Sequence, residues 1–414
     1  MASERVVLCA VTLPGINASR VEDYLDELSE LVATAGGEVV QRFVQPRERL
    51  DPASYVGDGK AREIAAFCKE QDIHTVVFEG DLSPAQVRNL EKIVERKVMD
   101  RTAVILDIFA RRARSREAKT QVALAQYTYL LPRLTRAWSH LSRQAGGIGT
   151  RGIGETQLET DRRVIRRKIA QLSKTLEEIS AHRNVQRRRR RETFEVALVG
   201  YTNVGKSLLL NRLASASARV EDKLFATLDT TYRRLPLEGV RQQVLVIDTV
   251  GFIRNLPHHL VASFRSTLEQ AKEADLLLHV VNVSHPLFEE QAAASRSVLC
   301  ELGLDAAPTL TVLNQIDRAQ PGLIDRARGL YPEGFLVSAL TSEGLPALKE
   351  AVAQQARLRA AGTELFIPYE KWPEFLLIRP SIRVLQESYG DEGVRLIVRA
   401  SPELTARALD LAHA

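Results

Sequence analysis

The chain of 414 residues carries 57 Lys and Arg against 52 Asp and Glu, with 45% hydrophobic and 26% charged side chains; this composition excludes a disordered or collagen-like chain. Three widely spaced cysteines, Cys9, Cys68 and Cys300, exclude a disulfide framework and a CxxC metal site, and read as small core residues. The net charge of +5 is unevenly spread: residues 101–191 hold 22 Lys and Arg against 7 Asp and Glu, while the remainder holds 35 against 45. Such a basic block reads as a surface for a polyanion such as RNA or DNA, against the blander reading of a solvated helical face.

In chain order, the amino-terminal MASERVVLCAVTLPG lacks a basic leader, and no stretch approaches the roughly 20 apolar residues of a membrane span. The expectation is a cytoplasmic chain without membrane insertion. Residues 1–105 alternate VVLCAV, VEDYLDELSELVATAG, EVVQRFV, AREIAAFCKEQ and HTVVFEG, a rhythm that predicts β-α-β units and a small α/β domain with a largely parallel sheet. Within it, YVGDGKAREI places Gly59 and Lys60 ahead of a helix. That stretch reads as a helix start or an RNA phosphate contact, with a second nucleotide site as the competing reading.

From Ile108 to about Leu141, and again from Glu155 to about Arg191, the pattern is helical; between them RQAGGIGTRGIGE carries five glycines that stop a helix. Two long helices are expected, forming a basic hairpin over residues 106–192. Its tip carries Arg143 and Arg151, and its second helix ends in Arg187, Arg188, Arg189, Arg190 and Arg191. Residues 193–359 contain five apolar runs, FEVALVG, QVLVIDTVG, ADLLLHVVNVS, TLTVLNQID and GFLVSAL, separated by helix-like segments. They predict a doubly wound α/β sheet. Residues 360–414 look like a small α+β domain, so the fold class is multidomain α/β.

The first of those five runs ends in GYTNVGKS: Gly200, Tyr201, Thr202, Asn203, Val204, Gly205, Lys206 and Ser207. This is a P-loop, in which glycines let backbone N–H groups face a phosphate, Lys206 spans the β- and γ-phosphates, and Ser207 offers a hydroxyl to Mg²⁺. One strand later DTVG, which is Asp248, Thr249, Val250 and Gly251, offers an Asp to the metal through water and an amide to the γ-phosphate. Between them lies LFATLD, with Phe225, Ala226, Thr227, Leu228 and Asp229. Thr227 is the candidate for a second hydroxyl on the metal; as an isolated residue it reads equally well as an ordinary loop threonine.

The strand end NQID, Asn314, Gln315, Ile316 and Asp317, lies where a base would rest. Asp317 can accept from N1–H and the 2-amino group of guanine, whereas adenine presents a lone pair at N1. Asn314 can tie this loop to the P-loop, and Ser338, Ala339 and Leu340 can present a backbone amide to the base carbonyl. Gln315 stands where a Lys is usual; by analogy with cation–π contacts the lost charge is worth about 0.5–2 kcal/mol. The expectation is a guanine site that is weakened, not abolished. Phe252 occupies the position after DxxG where many GTPases orient water with Gln, so intrinsic hydrolysis should be slow. The catalytic contributions assigned are electrostatic and belong to Lys206, Thr227 and Gly251, with Mg²⁺ as cofactor.

The order of these boxes, together with RSREAKTQVALAQYTYLLPRLTRAW, GGIGTRGIGETQLETDRR and LFATLD, closely resembles the HflX-type GTPases of the Obg-related translation-factor class. The resemblance implies an amino-terminal α/β domain with a long helical hairpin, a G domain and a small carboxyl-terminal domain. It also implies GTP and GDP as ligands, the large ribosomal subunit and its RNA as partner, ribosome-stimulated hydrolysis, and splitting or rescue of ribosomes under stress by a protein that is a monomer when free. Two departures are Gln315 and LDTTYRR, where the family has LDPTTR. The competing readings are an RNA-remodelling protein with an amino-terminal ATP site, and a ribosome-binding module impaired in hydrolysis.

Overall fold

The computed structural model describes residues 3–136, 153–188, 193–214, 224–225, 227–240, 242–254, 271–304, 306–399 and 402–413. It divides into two compact units: Met1–Asn184 with Glu221–Asp229 and Asn255–Ser266, and Val185–Val220 with Thr230–Arg254 and Thr267–Ala414.

The first unit is built on a four-stranded parallel sheet. Its strands are β1 (Glu4–Thr12), β2 (Gly37–Pro46), β3 (Thr75–Phe78) and β4 (Lys97–Asp100), in the order β2-β1-β3-β4. The crossovers are α1 (Ala18–Thr34), α2 (Asp58–Glu70) and α3 (Pro84–Val94). β1 from Val6 to Val11 and β3 from Val76 to Phe78 are apolar and buried because both faces are covered, as in parallel sheets between helices. Local chemistry sets the helix starts. Asn17 caps α1; Ser83 and Gln86 form a reciprocal capping box on α3, with Pro84 in the first turn. YVGDGK runs into α2 at Asp58, so Gly59 and Lys60, expected ahead of the helix, lie in its first turn.

The first arm of the expected hairpin is not one helix. It is α4 (Arg101–Arg112) and α5 (Arg116–Leu130), broken at Ala113–Ser115, and a short 3-10 turn follows over Arg133–Arg136. The break has a local cause: the Ser115 hydroxyl accepts from the Ala118 amide, capping a new helix. The second arm is α6 (Ile153–Arg188), a 36-residue helix. Arg187 and Arg188 lie in its last turn, while Arg143, Arg151, Arg189, Arg190 and Arg191 fall outside the described residues. On its described length Arg163, Arg166, Arg167 and Lys174 are exposed.

Asp100, fully buried at the end of β4, organises the root of this region. Its carboxylate accepts from the Ala103 amide at 2.8 Å, the Tyr129 hydroxyl at 2.8 Å, the Arg133 guanidinium at 2.8 Å and the Leu82 amide at 3.3 Å. Arg133 also lies over the Tyr129 ring, 3.5 Å from its centroid. The sheet, α4 and the end of α5 therefore share one buried anion.

The second unit carries a six-stranded sheet in the order β10-β9-β8-β5-β7-β6. Its strands are β5 (Thr193–Gly200), β6 (Thr231–Leu235), β7 (Gln243–Asp248), β8 (Leu276–Asn282), β9 (Thr309–Asn314) and β10 (Phe335–Leu336). All pairs are parallel except β6 with β7. Five of these strands follow the five apolar runs. β6, TYRRL, carries no such run because it is an edge strand with exposed Tyr232 and Arg234. The described helices are α7 (Lys206–Leu213), α8 (Phe288–Glu301), α9 (Pro321–Leu330) and α10 (Leu345–Ala361). A three-stranded antiparallel sheet follows, from β11 (Thr363–Pro368), β12 (Arg383–Tyr389) and β13 (Gly393–Arg399), with α11 (Trp372–Ile378) and α12 (Pro402–His413). Leu365, Ile367, Phe375, Val394 and Leu396 form its own core. No described helix is long and apolar enough to cross a membrane.

Asp100→Asn should destabilise the chain by about 3 kcal/mol, because it removes the charge that Arg133 is buried against. Chemical denaturation of the two proteins checks this.

Candidate functional site

The central strand β5 delivers the P-loop at its carboxyl end, and α7 begins at Lys206. Gly205 has φ +87, and a Cβ on it would lie 2.6 Å from Asn314 Nδ2, so only glycine permits this approach of loop to loop. The Lys206 side chain is buried, and its ammonium donates to the carbonyls of Gly200 at 3.2 Å and Tyr201 at 2.7 Å. Burial pushes its pKa down to about 8, opposed by the carboxylate of Asp248. A cation so desolvated is poised for an anion that restores its charge balance.

β7 brings Asp248 to the same end of the sheet, where its carboxylate accepts from the Ser207 hydroxyl at 2.5 Å. A hydroxyl and a buried carboxylate at the start of a helix are a hard oxygen donor set, which fits Mg²⁺. Thr249 is fully buried and donates to the Leu198 carbonyl at 2.7 Å, which fixes the turn that follows. Val250 is buried. Gly251 packs so closely that a Cβ would lie 2.7 Å from Thr202 Cα and 2.9 Å from Lys206 Nζ. Phe252 is buried and pairs through its backbone with the P-loop: its N–H donates to Gly200 O at 3.0 Å, and its carbonyl accepts from the Thr202 amide at 2.6 Å. The Tyr201 hydroxyl accepts from the Arg254 amide at 2.8 Å.

Asn314, at the end of β9, is buried and donates through Nδ2 to Val204 O at 2.8 Å, tying the two loops together. Its Oδ1 accepts from the Ala339 amide at 3.1 Å. A base carbonyl would therefore share that amide with Asn314. Asp317 Oδ1 accepts from the Ser338 hydroxyl at 2.6 Å, and its Oδ2 lies 3.8 Å from Arg318 Nε. Ile316 is half-buried and Leu340 exposed.

The segment Leu224–Asp229 groups with the first unit. Phe225 is buried edge-to-face against Phe109 of α4, with centroids 4.7 Å apart, and Leu228 is buried as well. The carboxylate of Asp229 accepts from the Arg114 amide at 2.9 Å, the Ser115 amide at 3.3 Å and the Ser115 hydroxyl. The side chains of Phe225 and Asp229, expected at the nucleotide, are thus engaged with α4 and the start of α5. Thr227 is half-buried, and Ala226 lies outside the described residues.

Sequence reasoning missed three contributors. Arg212 of α7 donates to the carbonyls of Ala339 and Leu340, both at 3.2 Å, bracing the loop after β10. Ser284 meets Gln315, and the strand-end pattern NVS was its faint signal. His279, in the middle of β8, is buried, and among the described residues its Nε2 has no hydrogen-bond partner. Burial, then the charges of Arg296 and Lys206, push its pKa down to about 4.

A family profile described as GTP-binding GTPase N-terminal matches residues 22–110, one described as GTP-binding GTPase Middle Region matches 112–190, and one described as 50S ribosome-binding GTPase matches 195–315. The chain is 46% identical over 413 residues to the GTPase HflX of Lacrimispora saccharolytica, covering 99% of this chain and 97% of that one. The chain belongs to the HflX family of GTPases. To the GTPase HflX of Escherichia coli K12 it is 46% identical over 348 residues, covering 83% of this chain and 82% of that one. Among solved structures it resembles a GTP-binding protein of Sulfolobus solfataricus in complex with GDP at 24% identity and a TM-score of 0.45, covering 86% of this chain and 99% of that one. Like its HflX relatives, the chain is a GTP-hydrolysing enzyme.

His279 generates a pH prediction. The imidazole titrates near 6.5 when unfolded and near 4 in the fold, so its stabilising contribution is intact above pH 6.5 and is lost as pH falls toward 4. The loss is about 1.4 kcal/mol per pH unit, about 3 kcal/mol in all. Denaturation midpoints from pH 7 to 4 should show this slope, and His279→Leu should flatten it.

Proposed function

We propose that this HflX GTPase acts on the large ribosomal subunit, couples GTP hydrolysis to that contact, and serves in the cytoplasm to split or rescue stalled ribosomes. The observation that carries the proposal is the match of residues 195–315 to the 50S ribosome-binding GTPase profile, in a chain whose middle region is a strongly basic helical arm. The exposed Arg163, Arg166, Arg167 and Lys174 of α6 supply positive charge for RNA phosphates. Arg143, Arg151, Arg189, Arg190 and Arg191 add to that charge in the sequence.

At the nucleotide, the amides of Gly200–Ser207 and the Lys206 ammonium hold the β- and γ-phosphates and stabilise the charge that grows on them as the terminal bond breaks. Ser207 would hold Mg²⁺ directly, with Asp248 behind it through water; the family resemblance assigns Thr227 as the second hydroxyl. The ion, when bound, neutralises charge on the phosphate oxygens. The Gly251 amide serves the γ-phosphate. Phe252 has no side-chain donor or acceptor, so the attacking water needs orientation from a group outside DTVG. That requirement is what makes hydrolysis responsive to a partner.

Hydrolysis of GTP and of ATP, measured in parallel with and without purified large subunits, should show GTP turnover rising at least tenfold with subunits and ATP turnover unchanged. Asp317→Asn should abolish the preference for GTP. Equal responses of the two nucleotides would favour the reading with an amino-terminal ATP site, and no response to subunits would remove the ribosome from the account.

A further inference from the structure

Gln315 stands where the family resemblance calls for Lys, and its surroundings show what a carboxamide does in that place. Its backbone has φ +66, a left-handed conformation that a residue with a Cβ keeps only where its surroundings hold it. Nε2 donates to the carbonyl of Asn203 in the P-loop at 3.3 Å. Oε1 accepts from the hydroxyl of Ser284, two residues beyond β8, at 3.1 Å. Ser284 is held by Asn282: its N–H donates to Asn282 Oδ1 at 2.9 Å, and its one hydroxyl proton is shared between that oxygen at 2.7 Å and Gln315 Oε1. An ammonium only donates, whereas a carboxamide donates at one end and accepts at the other. Gln315 therefore spans the two loops by donating to one and accepting from the other.

We infer that Gln315 is a positioning residue for the base site, a neutral crossbar anchored on Ser284, which holds the reading loop Asn314–Asp317 against the P-loop. It runs beside the bond from Asn314 to Val204 and doubles the tie between the two loops. With the two loops so tied, Asp317 is set for guanine without a cation over the ring, and the ligand served is a guanine nucleoside di- or triphosphate. The inference rests on the reading of Asp317 as the guanine acceptor. Nothing in the chain's P-loop or DTVG boxes assigns a role to Ser284.

The test is calorimetric binding of GDP, IDP and ADP to the full chain and to Gln315→Ala, Gln315→Glu, Gln315→Lys, Ser284→Ala and the double Ser284→Ala/Gln315→Ala variant. Loss of a hydrogen bond of this kind predicts GDP binding weakened about fivefold in Gln315→Ala. Gln315→Glu should bind more weakly still, because its carboxylate faces the Asn203 carbonyl and cannot donate. Gln315→Lys should bind at least as well as the unsubstituted chain, since its ammonium reaches the same carbonyl and Ser284 keeps Asn282. The double variant should be no weaker than Gln315→Ala alone, because both changes cut one bridge. The ratio of GDP to IDP affinity, which reports the 2-amino group, should hold in every variant.

Glu, Lys and Ala behaving alike at residue 315 would reduce the side chain to packing and overturn the crossbar. Effects of Ser284 and Gln315 that multiply would overturn the anchoring role of Ser284. Equal affinity of the unsubstituted chain for ADP and GDP is a different failure, that of the guanine reading itself.

Discussion

The P-loop is built around one buried charge. Lys206 has left water for a loop where backbone carbonyls and one carboxylate are its partners, and the cost shows in a pKa pushed down to about 8. The cation is carried on the first turn of α7, whose amide dipoles favour an anion at the same place. A phosphate brought to this loop would meet a desolvated ammonium at the amino-terminal end of α7. That arrangement is preorganised electrostatics, the larger part of what a protein contributes to phosphoryl transfer.

Around that charge the loops at the carboxyl ends of the parallel strands are tied to one another. The Thr202 amide and Gly200 carbonyl pair with Phe252, Asn314 reaches Val204, the Ala339 amide reaches Asn314, and Arg212 braces Ala339 and Leu340. The order β9-β8-β5-β7 places the P-loop between Asp248 and Asn314, at the strand ends where doubly wound sheets bind ligands.

Much of this was legible in the sequence because it is local. GYTNVGKS, DTVG and NQID each end an apolar run, so strand register alone carries their residues to one edge of the sheet. The tie from Asn314 to the P-loop followed from the chemistry of a buried amide at a strand end. What escaped was set by tertiary contact or by competition between local signals. β6 has no apolar run because its outer side faces water. The first arm of the hairpin breaks at Ser115 because a serine cap outweighs helical periodicity over one turn. Phe225 and Asp229 looked like nucleotide contacts by position; their side chains meet Phe109 and the start of α5, about a hundred residues earlier in the chain, and no local pattern encodes that. The partner of Gln315 was hidden for the same reason, since Ser284 lies on the neighbouring strand's exit.

The most direct measurement of the central claim is proton uptake when GDP binds, read by calorimetry at pH 8 and 9 in two buffers of different ionisation enthalpy. Lys206 with a pKa of about 8 should take up about half a proton at pH 8 and more at pH 9, and affinity should fall as pH rises across that interval. His279, which titrates near pH 4, is silent there. Binding heats that agree between buffers at both pH values would mean the ammonium is fully charged before nucleotide arrives. The buried, phosphate-seeking lysine would then be the wrong centre for this site.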